Sequence, residues 1–446
     1  MSKYMSEIIL IAGVLNISIS LILLRKAGVV LAFILAWWFF WMFISSLSLT
    51  GLFRPTSETY LLYILMLSSV TLGVGLHIFS LRVSGNQSIL VISSIDEESA
   101  ASKERFILRI MYFILFPIVL FFSFKAVYLL CTSVAPVDYR ADVFGLRTGQ
   151  SVLFGSTKIN FLYGLLISPM LLASLFIGVA FYLTKGNGKI FTLACILVGL
   201  DAFMMFGRFG FHYIVMIGII VISIKLTHDW KNTLSGFSWR TIIVLLLILL
   251  PVFLVGYLRE NKASLAYERL LKLFVIDYHT MSFSMFDVEL QNPLSIVHQT
   301  TYGRSSFAGL ERPIAFISKF FGIRIEPQAD VIGSYLHEYK TIGQGANGNA
   351  IKYNAFGSLM FSLYRDGGPF FIGLMGILFG FFVSKTSISI ERKNTYGVSI
   401  LMSLFFIGIY GIFQPVLNGP ILLAILFIFL IFKVNLKHFG FVKGNV

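Results

Sequence analysis

Arginines recur in the stretches between the long apolar runs of this sequence, and their chemistry is that of anion capture or ion pairing. Arg140 and Arg147 lie in one stretch between apolar runs, Arg208 in a tight connection, and Arg259, Arg269, Arg304, Arg312, Arg324 and Arg365 in a second long stretch. Each guanidinium is a permanently charged, planar fork of donors, which suits bidentate capture of phosphate. The plain alternative is ion pairing, because ten Asp/Glu nearly balance eleven Lys/Arg between residues 259 and 367.

Three short segments add groups that can move a proton. "LDAFMMFGRFGFHY" (200–213) sets Asp201, Arg208 and His212 in an apolar run. A charge at the bilayer centre costs roughly 2.5–3.5 kcal/mol, so such residues line a protein or water-filled interior. Arg208 and His212 are four apart and share a helix face, and His titrates near neutrality. The other reading is an arginine snorkelling to the interface beside a histidine satisfied by a neighbour. "VIGSYLHEYKTIG" holds His337 and Glu338, and "TTYGRSS" places Arg304 beside a glycine. "NAFGSLMFSLYRDGGPFFIG" sets Asn354, Tyr364, Arg365 and Asp366 before Gly367, Gly368 and Pro369, and Pro369 suits the first turn of a helix.

Other chemistries lack their residues. There is no G-x-S-x-G elbow, H-E-x-x-H, P-loop or Cys/His cluster with zinc spacing. "RPTSETY" has no acidic pair to hold a divalent metal, and Asp138 and Asp142 in "DYRAD" are weak evidence for one. Neither a metal nor a cofactor is expected. Cys131 and Cys195 lie in apolar runs and read as core packing.

The elements that position these residues are membrane spans. The 446 residues are 57% hydrophobic and 13% charged, with mean hydropathy +0.85. No soluble domain of this size hides that much apolar surface. The net charge of +14 reads as positive-inside loops, not as a nucleic-acid surface, since no basic soluble module is present. The start "MSKYMSEIILIAGVLNISISLILLRK" reads as a retained first span. Runs near 7–24, 29–52, 59–81, 106–131, 161–184, 190–206, 209–226, 240–258, 369–387, 395–414 and 418–435 make about eleven spans of roughly 20 residues. As one helix, 190–226 would be about 55 Å long at 1.5 Å per residue, so a hairpin turning at "FGRFG" is expected. Arg25 and Lys26, Lys185 and Lys189, Lys231 and Arg240, and Arg392 and Lys393 then fall on one side with the tail, which is cytoplasmic by the positive-inside rule.

Read this way, the chain is an all-α polytopic membrane protein with residues 1–446 in a single transmembrane domain. Residues 132–160 and 259–368 lie outside. The latter loop is partly helical, because "YERLLKLFVIDYHTMSFSMF" (267–286) and "RPIAFISKFFGI" (312–323) are amphipathic and should lie on the membrane or against the bundle.

The "GRFGFHY" hairpin, the long Arg-containing penultimate outer loop and "NAFGSLMFSLYRDGGPFFIG" together resemble the bacterial oligosaccharide repeat-unit polymerases, the O-antigen polymerase (Wzy) family. The resemblance covers the architecture of nearly the whole chain, while its specific residues fall in two short stretches. It implies a metal-independent glycosyltransferase of the lipid-carrier, GT-C-like type, related in architecture to O-antigen ligases. Such an enzyme moves a growing glycan from undecaprenyl diphosphate onto a new lipid-linked repeat unit, at the periplasmic face of the bacterial inner membrane. The leaving diphosphate gathers negative charge, which falls to arginines in the absence of a metal. Arg208, Arg304 and Arg365 are the first candidates and Arg140 the next. A general base for the acceptor hydroxyl is sought in the order His337, His212, Asp201. Lipid-linked oligosaccharides and membrane lipids are the partners implied, with a chain-length regulator left open and no nucleic acid. Two rivals stand beside this reading. A flippase or secondary transporter accounts for the intramembrane charges but calls for inverted repeats and short loops. An O-antigen ligase would share the architecture and the arginine chemistry.

Overall fold

The computed structural model describes residues 4–83, 97–132, 134–145, 150–228, 272–345, 347–354 and 357–433. It is predominantly helical, which suits a chain in lipid because helices satisfy their own backbone groups. Among the described residues, six helical segments are long and apolar enough to cross a bilayer: Met5–Ser46, Ser57–Val83, Ala101–Thr132, Thr157–Lys185, Phe209–His228 and Leu359–Glu391. The shorter apolar helices Thr395–Tyr410 and Ile421–Lys433 accompany them. The span expected at 240–258 lies outside the described residues, as do Arg147, Arg259 and Arg269.

In chain order, α1 (Met5–Leu24) and α2 (Val29–Ser46) are followed by α3 (Ser57–Val83). Next, α4 (Glu97–Ile110) passes through a π-turn at Met111–Leu115 into α5 (Phe116–Thr132), and a short α6 (Pro136–Val143) follows. Another π-turn, Tyr163–Ile167, joins α7 (Thr157–Leu162) to α8 (Ser168–Lys185); then come α9 (Lys189–Met204) and α10 (Phe209–His228). The long loop holds α11 (Tyr278–Gln291), α12 (Ala308–Ser318), α13 (Gln328–Leu336) and an antiparallel ribbon of β1 (Lys340–Gln344) and β2 (Ala350–Tyr353). It leads into α14 (Leu359–Glu391), α15 (Thr395–Tyr410) and α16 (Ile421–Lys433). Two compact units organise the chain. Met1–Val91, Ser264–Ile388 and Leu404–Leu422 make the first, and Ile92–Ala263, Ser389–Ser403 and Leu423–Val446 the second.

In the first unit, α1 and α2 form an antiparallel hairpin. The chain reverses after Arg25 (φ 52°), Ser46 Oγ donates to Ser6 Oγ at 2.8 Å, and Phe39 lies on Gly13. Small residues let α3 and α14 meet backbone to backbone, as is common between membrane helices. A Cβ on Gly73 would stand 2.1 Å from the Ile377 carbonyl oxygen, and one on Gly380 1.9 Å from that of Val70. Gly380→Val is therefore expected to force the helices apart and cost about 1–3 kcal/mol of stability. Thermal unfolding in detergent measures this, and an unchanged midpoint would contradict the crossing.

The loop side of this unit is built on α11, which is buried on nearly every side. The described part of the 267–286 segment thus packs against the bundle. Leu52, Met281, Met285 and Ile342 form a small core there, and residues 51–53 join β1 through Phe53 N–H to Ile342 O and Gln344 N–H to Gly51 O, each 2.8 Å. Asp287 of α11 receives Thr56 N–H (2.9 Å) and the hydroxyls of Thr56 (2.6 Å) and Thr59 (2.7 Å). A carboxylate thereby caps the N-terminus of α3, where the helix dipole favours it.

In the second unit, α8, α9 and α10 make two successive hairpins. Gly178 packs on Ile190 and Phe191, and Gly210 on Ala202 and Val198. The chain turns at Phe206 (φ 49°), where the expected reversal falls. Cys131 was expected in the core but is exposed on α5. It shares a face with the exposed Phe124 and Tyr128 at helical spacing, which is the lipid-facing side of an apolar helix.

Candidate anion-binding site

The segments "TTYGRSS" and "YRDGG" meet in the first unit around one buried carboxylate. Asp366 Oδ1 accepts the Thr301 hydroxyl at 2.6 Å and the Ser305 N–H at 3.0 Å, and its Oδ2 accepts the Ser306 N–H at 2.7 Å. Thr301 N–H in turn donates to the Arg365 carbonyl at 3.0 Å. The clamp closes a tight turn through Tyr302 (φ 51°) and Gly303 (φ 92°). Arg304 follows directly. It is half exposed, and its Nε donates to Glu311 at 2.7 Å and its Nη2 to the Glu326 carbonyl at 3.3 Å.

Arg365 is the unusual member. It is 3% exposed, and its Nε and Nη1 are buried without a hydrogen-bond acceptor from the protein. The Asp366 carboxylate interacts favourably with its charge, but both of that group's oxygens are taken by the 301–306 turn. Arg365 also lies close enough to feel the like charge of Arg304. The hydroxyls of Ser362, one helical turn earlier, and of Ser306 are likewise buried without a partner. Buried donors are nearly always satisfied in native proteins, and a guanidinium left short of acceptors costs several kcal/mol. Such an arrangement suits an anion that brings its own oxygens.

The local fold explains the placement. α14 is interrupted at Gly367 (φ 172°) and Gly368 (φ 60°), so Leu359–Asp366 is a short helical piece ending in the Arg365–Asp366 pair. Pro369 opens the long apolar segment, as its ring allows at a first helical turn.

His337 stands at the C-terminal end of α13, exposed to solvent. Its Nδ1 lies 2.5 Å from the Gly333 carbonyl, which only accepts, so Nδ1 carries the proton and Nε2 is the basic nitrogen. Asn354 donates to the His337 carbonyl at 3.0 Å, which ties two residues singled out from the sequence to one place. Arg312 takes the plain reading, pairing in the open with Asp330 at 2.8 Å. An exposed pair contributes little, so Arg312→Ala should shift stability by about 0.5 kcal/mol or less in the same unfolding measurement. A large loss would show that the pair holds α12 to α13.

The second unit holds the remaining candidates. Arg140 of α6 donates to the Phe206 carbonyl at 3.2 Å and lies over the Phe144 ring at 5.2 Å, which brings it to the turn that carries Arg208. His212 is one turn further, its N–H bonded to the Arg208 carbonyl at 3.1 Å. Asp201 receives the Tyr163 hydroxyl at 2.6 Å, a satisfied carboxylate whose partner was not anticipated. A further cluster also escaped sequence reasoning. Buried Glu289 takes the Tyr335 hydroxyl at 2.6 Å, the Ser295 hydroxyl, and Lys340 Nζ at 2.5 Å. Lys340 also lies 3.4 Å from the Tyr335 ring centre, a fully engaged structural network. Among the described residues no three His, Cys, Asp or Glu side chains gather to hold a metal ion.

Comparison with protein-family models, with curated proteins and with solved structures gives no match.

Proposed function

We propose that this chain is a bacterial surface-polysaccharide polymerase of the O-antigen type, a GT-C-like glycosyltransferase with about eleven spans. It transfers a growing glycan from undecaprenyl diphosphate to a new lipid-linked repeat unit at the periplasmic side of the inner membrane. The observation that carries the reading is the buried, acceptor-poor guanidinium of Arg365 beside Arg304 on a carboxylate-clamped turn. Expulsion of a lipid diphosphate concentrates charge on phosphate oxygens, and fixed donors aimed there lower the barrier. Arg365 supplies a desolvated fork and Arg304 a second, more accessible charge. Asp366 positions both and is not the base. The acceptor hydroxyl gives its proton to His337 Nε2, with His212 and then Asp201 as the remaining candidates. A polymerase handles two lipid diphosphates, and the turn that carries Arg208, with Arg140 of α6 bonded to its backbone, is a second basic feature.

Deleting the gene in its host and resolving surface lipopolysaccharide on a silver-stained gel tests the assignment. Collapse of the ladder to core plus one repeat unit is expected. Loss of every glycan band would instead indicate flipping or ligation. One observation favours a transporter, the break at Gly367–Gly368, because transporters bind substrate at broken helices. The break lies eight residues into α14, next to the loop and away from the middle of the helix, which suits a site at a membrane surface better.

A further inference from the structure

We propose that α12 and the turn that extends it, Lys319–Phe321, form an in-plane interfacial helix whose apolar face is buried in the bilayer leaflet on the loop side. The inference stands whether or not the chain is a polymerase. The face begins with Ile314 and Ile317 and continues through Phe320, Phe321 and Ile323, all exposed, with the two phenylalanines 76% exposed each. A contiguous apolar surface of that kind marks a contact with lipid or protein. The opposite face is already used: Ala308, Gly309, Ala315 and Ser318 are buried.

Two separate anchors set the depth of the helix. The turn before it, residues 301–306, is clamped by Asp366, three residues before Pro369 opens the long apolar segment of α14. Gly309 is pressed onto the carbonyls of Leu417 and Gly419, where an added Cβ would stand 2.5 Å from each oxygen, and the apolar α16 starts at Ile421. The start of α12 therefore sits at the level where the long apolar segment of α14 begins. Phe370, the second residue of the long segment, is exposed at that same level. Lys319, between Ile317 and Phe320, and Arg324, next to Ile323, border the apolar residues along the chain and are exposed as well. Their stems can follow the apolar surface while the charged heads meet lipid phosphates. Continuity with the spans and these basic flanks select lipid as the occupant over a second protein. A consequence is that Arg304 and Arg365 are held near headgroup phosphates, so an anionic ligand would come from the membrane plane.

Site-directed spin labelling of the full chain tests this. Cys131 and Cys195 are changed to Ser, and nitroxides are attached at Ile317→Cys and Phe321→Cys in vesicles of phosphatidylethanolamine and phosphatidylglycerol. Glu338→Cys serves as an aqueous reference and Phe124→Cys as an apolar one. The expected result is a several-fold excess of collisions with oxygen over a water-soluble nickel chelate at 317 and 321, as at 124, with the reverse at 338. Predominant nickel collisions at 317 and 321 would overturn the proposal by placing the face in water. Low collision rates with both reagents would overturn it by placing the face under protein, such as a second copy. Should a label disturb folding, the emission that Phe320→Trp adds to that of the five native tryptophans reports the same contact through quenching by brominated lipids, and added emission that is not quenched contradicts it.

Discussion

Replacing Arg365 with Met is expected to raise the unfolding temperature and, on the proposed function, to abolish polymer synthesis in the same variant. The guanidinium is buried with Nε and Nη1 lacking acceptors, so the folded protein bears a desolvation cost that its contacts do not offset. Methionine fills similar volume, adapts its shape and carries no charge. Removing an unsatisfied buried donor recovers its desolvation penalty, about 1–3 kcal/mol, and Asp366, although it loses a neighbouring positive charge, keeps its three hydrogen bonds from the 301–306 turn. Losing a donor aimed at developing charge costs about a hundredfold to a thousandfold in turnover. Thermal unfolding and polymer synthesis from lipid-linked repeat units, measured on the same preparation, separate the two effects. A structural arginine gives the opposite sign, a lower unfolding temperature. Arg365→Lys should restore activity only in part, since an ammonium is a point charge without the fork.

The second large effect is expected at Asp366. Truncation to Ala leaves the Ser305 and Ser306 N–H groups and the Thr301 hydroxyl without their acceptor, and strips the negative charge from beside Arg365. Breaking a buried charged network of this kind costs about 3–5 kcal/mol. The turn through Tyr302 and Gly303 loses its only described clamp on α14 apart from Thr301 N–H to the Arg365 carbonyl. Activity should fall with stability, because Arg304 is presented by that turn. Asp366→Asn retains one acceptor oxygen but aims an amide donor at a backbone N–H, so it should fall between wild type and Asp366→Ala. Hydrogen exchange across 301–306 reads the clamp directly. Wild-type protection in Asp366→Ala would show that the turn is held by something else.

How much of this was readable beforehand follows from the range of each signal. Apolar runs with their bounding turns are local, and helices stand at the expected runs throughout the described residues. Pro369 marked a helix start and "FGRFG" a reversal for equally local reasons. The arginines could be singled out because positive charge in stretches read as outer loops needs a cause, yet type alone could not tell Arg312, paired in the open, from Arg365, buried and short of acceptors. The clamp itself was hidden. Asp366 and Thr301 are 65 residues apart, Glu289 and Tyr335 46, and Tyr163 and Asp201 38, and no spacing rule links residues at such separations. The ribbon of β1 and β2 was missed for a similar reason. Its strands are short, and it gains its place by pairing with residues 51–53, far away in the chain.

The most direct test of the central claim is equilibrium binding of a short-chain prenyl diphosphate to the purified protein and to three variants. Hydrogen bonds to charged groups contribute about 1.5–3 kcal/mol each. Arg365→Met should therefore weaken binding about a hundredfold and the more exposed Arg304→Ala about tenfold, while Arg312→Ala binds as wild type does. Equal affinity in wild type and Arg365→Met, with the variant folded, would contradict the assignment of this turn as the diphosphate site.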